Sequence, residues 1–420
     1  MKRRMLLTPI ALAVAAPTVF AAGFQANEHS ASGLGRAFSG EGAVADNASV
    51  LARNPAAMTL FDTAQFSGAI SVVDPQVDVT LNGNGADIPT QTAKDVAPVQ
   101  FVPGAYYISP INDKWAWGIG LFTNYGVATD YPDDFYAGDL AGDTSLITVN
   151  LNPNIAYRVN ESLSLGAGVN VTYAEAELNR HLGALAGAFG SLNASDNLIS
   201  LKGDTYSFGW NAGLLYEFNT NNRIGFTYRS AVDLEFKDGE FNSYQTGISN
   251  PQVTEGRLDV TLPAIWELSG YHHFADKWAL HYSWFRTEWS SFTELKATSP
   301  NCNDGTAGQC FYKKEDYKDN NRYALGLTHF LNSDWTLRAG FALDEQAGKT
   351  TLSIPDTDRY WYSAGATYQW SSNMSFDAGL TYIYGKSGSF NEENTLNTPL
   401  SFDAKSSAFI AALQVNYIFD

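Results

Sequence analysis

From Ser162 the chain reads SLSLGAGVNVTY, and parity separates it into two chemistries. Leu163, Leu165, Ala167, Val169, Val171 and Tyr173 fall on one face, and Ser162, Ser164, Gly166, Gly168, Asn170 and Thr172 on the other. A period of two is that of a β-strand. In a soluble sandwich the polar face would be rich in Lys and Glu, whereas Gly, Ser, Asn and Thr suit a crowded lumen. The pattern recurs in Trp335, Leu337, Ala339, Phe341 and Leu343, in Met374, Phe376, Ala378, Leu380, Tyr382 and Tyr384, and at the end in Phe409, Ala411, Leu413, Val415, Tyr417 and Phe419. Past the N-terminal segment no apolar run reaches the roughly 18 residues of a membrane-spanning helix. A chain patterned this way enters a bilayer only as a closed barrel, because closure pairs every backbone group.

Fourteen such segments are read from Gln65 onward, at roughly 65–80, 97–110, 114–130, 145–159, 162–180, 203–218, 223–236, 256–273, 277–295, 320–331, 334–345, 357–370, 374–387 and 401–419. Tight connections alternate with long ones, and an even strand count with this alternation predicts short periplasmic turns and long outer loops. The expected fold class is all-β: a 14-stranded antiparallel transmembrane β-barrel. Trp115, Trp117, Tyr157, Trp278, Trp335, Tyr368 and Tyr417 lie near tight turns or the terminus, as an interfacial aromatic girdle would.

Charged residues are 17% and aromatics 14%, which excludes a disordered chain or a coiled coil. The net charge of -18 excludes a phosphate-neutralising nucleic-acid surface. Lys2, Arg3 and Arg4 followed by an apolar run and Val19-Phe20-Ala21 read as a signal peptide over 1–21. The small, Gly-rich, unpatterned stretch 22–63 precedes the barrel at 64–420, and reads as a hatch, or plug, inside the lumen; a periplasmic tail is the other reading. Cys302 and Cys310 lack metal-ligand spacing and read as a surface-loop disulfide, with a metal site as the other possibility. No cofactor motif is present.

The stretch GFQANEHSASGLGRAFSGEGAVADNASVLARNPAAMTLFD resembles the N-terminal hatch of the FadL family of outer-membrane long-chain fatty acid transporters, including the motif Asn54-Pro55-Ala56. FTNYGVATDY at 122–131, TLPAIWELSGY at 261–271 and IPDTDRYWYSAG at 354–365 extend the resemblance along the mature chain. It implies passive, ligand-gated uptake of long-chain fatty acids across the outer membrane of a Gram-negative bacterium, with a lateral exit at a kink in the third strand, Asn124-Tyr125-Gly126. It further implies that Phe24, at the hatch N-terminus, touches the ligand pocket and that Arg180, Lys318 and Thr123 hold the carboxylate. Contacts with outer-membrane lipid and lipopolysaccharide, insertion by the barrel assembly machinery, and a monomeric state follow from the same resemblance. Asp420 departs from it, since such barrels end on an aromatic residue, and so do the two cysteines.

Parity from outward Tyr173 places Arg180 in the lumen, where a guanidinium is suited to pairing with a carboxylate; a loop-base pairing with Glu175 or Glu177 is the competing reading. Lys318 sits in a charge run with Lys313, Lys314, Glu315 and Asp316, where solvation is the alternative. Leu182, Leu185 and Phe189 form an apolar stripe in an outer loop, read as a capture groove or as loop packing. A relative that moves other hydrophobic compounds, such as aromatic hydrocarbons, is the alternative function. His281 and Ser283 have the spacing of a hydrolytic dyad, but parity turns them into the lumen, and the chain reads as no enzyme.

Overall fold

The computed structural model describes residues 23–85, 87–188, 192–243, 252–303 and 307–420. The expected signal peptide and Phe189 lie outside the described residues. The barrel strands are β1 (Gln65–Asn82), β2 (Gln100–Pro110), β3 (Trp115–Phe122 and Gly126–Thr129), β4 (Thr144–Arg158), β5 (Leu163–His181), β6 (Asn197–Asn219) and β7 (Asn222–Arg229 and Val232–Ser243). They continue as β8 (Gln252–Leu262 and Ile265–Phe274), β9 (Trp278–Thr287), β10 (Asn320–Phe330), β11 (Trp335–Asp344), β12 (Arg359–Gln369), β13 (Met374–Gly385) and β14 (Pro399–Ile418). All pair antiparallel with their neighbours, and β14 closes on β1 from Gln65↔Ile418 to Asn82↔Ser401. The fourteen strands expected from alternation are therefore present, in one closed sheet.

Exposure follows parity. In β3, Trp115, Trp117, Ile119 and Leu121 are exposed, while Ala116 and Phe122 are buried against the lumen contents. The rim aromatics pair across strands: Trp115 with Tyr157 at 4.6 Å and Trp335 with Tyr368 at 4.8 Å between ring centroids. Flat amphipathic rings of this kind settle at the headgroup layer.

Three features differ from the sequence expectation. β9 ends at Thr287 rather than 295, because a 3-10 turn at Trp289–Ser291 follows it. The long loops also carry strands of their own, among them a hairpin of Glu294–Asn303 with Ala307–Lys314 across which Cys302 and Cys310 are disulfide-bonded. Three barrel strands are interrupted: β3 at 123–125, β7 at 230–231 and β8 at 263–264. The break in β8 contains Pro263, which has no N–H for a ladder.

Residues 23–63 fill the lumen in short helical turns, with Ser30 Oγ accepting from Gly33 N and Asn54 Oδ1 from Ala56 N as N-caps. Asn54 Nδ2 also donates to Gly42 O at 2.7 Å and to Leu214 O of β6 at 3.1 Å, so the Asn-Pro-Ala motif ties the hatch to itself and to the wall. Lumenal arginines complete the attachment: Arg229 donates to Ala52 O at 2.6 Å, Arg322 to Ala37 O at 2.9 Å, and Arg223 to Ala43 O and Val44 O. Hatch carbonyls that helices this short leave unsatisfied find charged donors on the wall.

At several wall glycines the hatch backbone lies close enough to exclude a side chain. A Cβ at Gly340 would lie 2.1 Å from the carbonyl carbon of Arg36, a distance no rotamer relieves because both partners are backbone. We expect Gly340→Val to dislodge this part of the hatch while the barrel still closes. Limited proteolysis of folded protein checks this, with faster cleavage within 23–63 and an unchanged heat-modifiable barrel band; equal cleavage would show that the wall yields instead.

Candidate functional site

β4, β5, β6, β7 and β8 line a cavity beneath the outer loops. Leu146, Leu178, Phe236, Val260, Phe292 and Ile354 give it an apolar lining, and Phe24 of the hatch forms part of its wall. The Phe24 ring stands edge-on to Trp289 at 4.6 Å and to Phe292 at 5.2 Å, burying it at 2% exposure. A lining of this polarity is chemically suited to an acyl chain.

A larger polar chamber is lined by Asp139, Arg180, Lys313, Lys314, Lys349 and Glu392, among others. Ser353 joins the two, since it lines the apolar cavity and its Oγ accepts from Arg180 Nη2 and from Lys313 Nζ, each at 2.9 Å. Arg180 is 1% exposed and also donates to Thr144 Oγ1, Asp143 O and Asn179 O. Two cations thus converge on a neutral oxygen at the edge of an apolar space. A carboxylate placed there would take both as charge-assisted donors. Burial pushes the carboxyl of Glu315, beside Lys313 at 3.8 Å, above the ordinary carboxylate range, which favours the neutral form and leaves more of the cationic charge for an anion.

The structure distributes the sequence candidates unevenly. Arg180 points into the lumen as parity requires, and Lys202, not Arg180, pairs with Glu175 and Glu177. Lys318 is exposed and lines neither chamber; its backbone N–H donates to Ala347 O. Lys313, five residues earlier, occupies the position expected of it, because the hairpin after β9 turns that residue inward. Thr123 is buried at the β3 break, but its hydroxyl is committed to Thr148 O at 2.8 Å rather than to the cationic pair. Leu182 and Leu185 pack with Leu198, Ile199, Leu201 and Phe241 in a small core over the rim, so the expected capture groove is loop packing here. Lys313 and Ser353 escaped sequence reasoning because loops carry no parity to count.

At the expected kink, the β2–β3 ladder stops at Ala105↔Leu121, and Gly126–Thr129 pairs with β4 alone among the described residues. The hatch takes the vacated place: Ala26 N donates to Asn124 O at 2.7 Å and Gly126 N to Phe24 O at 2.9 Å. Tyr125 OH donates to Pro263 O at 2.6 Å, linking the kink to the β8 break. The hatch end is held from above by Asp356, which accepts the Gly23 N–H as well as Ala347 N–H and the Arg359 guanidinium. Ser353 and Asp356 belong to one loop, so the cationic pair and the hatch end share a support. Ser283 accepts from the hatch Gly40 N–H at 2.8 Å and His281 meets Thr328 Oγ1, both facing the lumen.

Residues 12–419 match the sequence family described as outer membrane protein transport protein (OMPP1/FadL/TodX). The chain belongs to this family. It is 41% identical to a long-chain fatty acid transport protein of Escherichia coli O6:H1, over the full length of both chains. It is 40% identical to outer membrane protein P1 of Haemophilus influenzae, over 98% of each. Among solved structures, a Pseudomonas aeruginosa FadL homologue superposes with a TM-score of 0.83 at 24% identity, covering 95% of this chain and all of the other. The Pseudomonas putida toluene transporter TodX superposes with a TM-score of 0.66 at 18% identity over 89% of this chain and 94% of its own. At those identities the likeness is one of fold. Like other members of the OMPP1/FadL/TodX family, the protein is an outer-membrane β-barrel with its N-terminal segment inside.

Proposed function

We propose that the protein takes up long-chain fatty acids across the outer membrane by passive, ligand-gated diffusion, the carboxylate held by Arg180 and Lys313 at Ser353 and the chain lying in the apolar cavity against Phe24. The observation that carries this reading is the convergence of two cations, buried Arg180 and partly buried Lys313, on one oxygen at the mouth of an apolar space. A channel for neutral aromatic hydrocarbons has no use for that pair. At about 0.8 kcal/mol per buried CH₂, a chain of about fourteen methylenes gains on the order of 11 kcal/mol gross. Association costs of several kcal/mol bring this to an affinity from which release is possible. No chemical step is required, and the protein acts as a channel rather than an enzyme.

Capture of the carboxylate at Ser353 would disturb the loop that also holds Gly23 through Asp356, and withdrawal of Phe24–Ala26 would unblock the wall beside Asn124-Tyr125-Gly126. Residues 1–21 would serve as the address, and the barrel would insert through the assembly machinery and work as a monomer amid lipopolysaccharide. Cells lacking their own transporter and expressing this chain should take up labelled oleate and grow on it. Outer-membrane insertion without oleate uptake would refute the reading.

A further inference from the structure

The ladder between β6 and β7 is not continuous. It runs from the periplasmic turn to Asn211↔Arg229 and resumes at Lys202↔Glu240. Between these limits Ser230 N donates to Trp210 O at 2.9 Å, and residues 203–209 of β6 and 231–239 of β7 have no ladder pairing among the described residues. β6 is fully paired on its other side over the same interval, from Gly203↔Ala176 to Trp210↔Val169, so the discontinuity belongs to this one seam. β7 carries the causes: its break at 230–231 and a bulge between Phe236 and Gly239. Side chains stand in for the missing ladder. Thr205 Oγ1 donates to Glu235 O at 2.9 Å and Ser207 Oγ to Asp233 O at 2.5 Å.

The seam has the apolar cavity on one side, since Gly203, Phe236 and Gly239 line that cavity. On the other side it faces the membrane. Outward residues of β6 run Trp210, Phe208 and Tyr206, at 52%, 70% and 68% exposure, and then change to Asp204 and Lys202. Tyr206 pairs with Tyr173 at 5.0 Å where the outward face turns from apolar to charged, which marks the outer headgroup level. The seam therefore spans the depth at which an amphiphile in the outer leaflet places its carboxylate and the first part of its chain.

We propose that this seam is a second lateral portal, through which the acyl chain of a fatty acid dissolved in the outer leaflet enters the apolar cavity directly. It rests on the uptake reading above and adds an inlet to it. The vestibule with Arg180 and Lys313 serves acids arriving from water, the β6–β7 seam those that have already partitioned, and the kink in β3 remains the hatch-controlled outlet. Two hydroxyl bridges hold the portal shut. They part at less cost than a backbone ladder, because water or a headgroup can replace each of them singly.

The test uses a removable staple. A Cβ built at Gly203 lies 3.5 Å from the Phe236 Cβ, within the roughly 3.5–4.5 Å that a disulfide spans. The full chain carrying Gly203→Cys and Phe236→Cys, in a Cys302→Ser/Cys310→Ser background, is placed in lipid vesicles holding a photoreactive long-chain fatty acid, with lipid in large excess so that the acid stays in the leaflet. In the reduced protein, brief illumination should label the Phe292 region of the cavity; oxidation should lower that labelling at least threefold. Binding of the same acid to the detergent-solubilised variant in each redox state is the reference, and the loss of leaflet labelling on oxidation should exceed the loss of solution binding at least twofold. Equal labelling in both redox states overturns the portal, and so does an equal loss of solution binding, which would assign the effect to cavity shape. Thr205→Val/Ser207→Ala leaves the cavity lining intact and should raise leaflet labelling about threefold in the otherwise native chain; unchanged labelling there also counts against the portal. Absence of solution binding in the unsubstituted protein would instead refute the uptake reading itself.

Discussion

Replacing Arg180 with alanine is expected to weaken binding of a long-chain fatty acid by about tenfold to a hundredfold, while binding of the alcohol of equal length changes less than threefold. The estimate follows from the net value of a hydrogen bond to a charged group, about 1.5–3 kcal/mol. Arg180 is fully buried, so solvent screens this contribution little. Lys313→Met should act in the same direction with a smaller effect, because its side chain retains 14% exposure and its charge is shared with Glu392 at 3.5 Å. Lys318→Met should leave affinity unchanged, since that side chain is exposed and lines neither chamber. The comparison of acid with alcohol separates a lost carboxylate partner from a distorted cavity. Titration of purified variants with both ligands is the measurement, and equal losses for acid and alcohol would remove the proposed role. Arg180 also ties β5 to the segment before β4 through Asp143 O, so a folded, heat-modifiable barrel is the control.

Asp46→Ala is expected to open the lumen. Asp46 Oδ2 lies 2.8 Å from Arg36 Nη1 of the hatch and 3.2 Å from Arg338 Nη2 of β11, so one carboxylate joins two cations that would otherwise repel. Arg338 retains Asp377 at 3.6 Å, and Arg36 retains Glu41 at 2.6 Å. What is lost is the ionic link between the hatch and β11. Removing one partner of a buried pair costs about 3–5 kcal/mol; Asp46 is a quarter exposed, which places the expected loss at or below the lower end of that range. Cells carrying the variant should become at least fourfold more sensitive to a large hydrophilic antibiotic that normal porins exclude, and the purified protein should show frequent conductance events in planar bilayers. Asp46→Asn keeps a hydrogen-bonding oxygen without the charge and should fall between. A silent bilayer and unchanged sensitivity would mean that the arginine-to-carbonyl bonds from Arg223, Arg229 and Arg322 hold the hatch unaided.

Much of this architecture is legible in the chain because it depends on a period of two. Leu163 to Tyr173 face lipid and Ser164 to Thr172 face the lumen wherever the strand is drawn, and a barrel leaves no other arrangement for such a face. The same parity turns Arg180 inward correctly, and the unpatterned segment before Gln65 falls inside because it has no face for lipid. The charge run at 313–318 shows where this logic ends. Lys313 and Lys318 are equivalent in composition and in local surroundings, and only the hairpin closed by Cys302 and Cys310 directs one inward and leaves the other in solvent. Leu182 and Leu185 read as an exposed stripe because the residues that cover them, Leu198 and Phe241, come from β6 and β7.

The sequence by itself determined the number of strands, the face each presents to lipid, the place of the hatch and the site of the β3 kink, since these follow from local alternation, turn residues and a matching motif. Tertiary structure alone decided which cations meet at Ser353, how Asp356 reaches the hatch end, and where the wall between β6 and β7 lacks its ladder. Those features depend on register between strands and on loops folding back over the rim. Register is set by bulges and by the closure of the whole barrel, so no single segment encodes it.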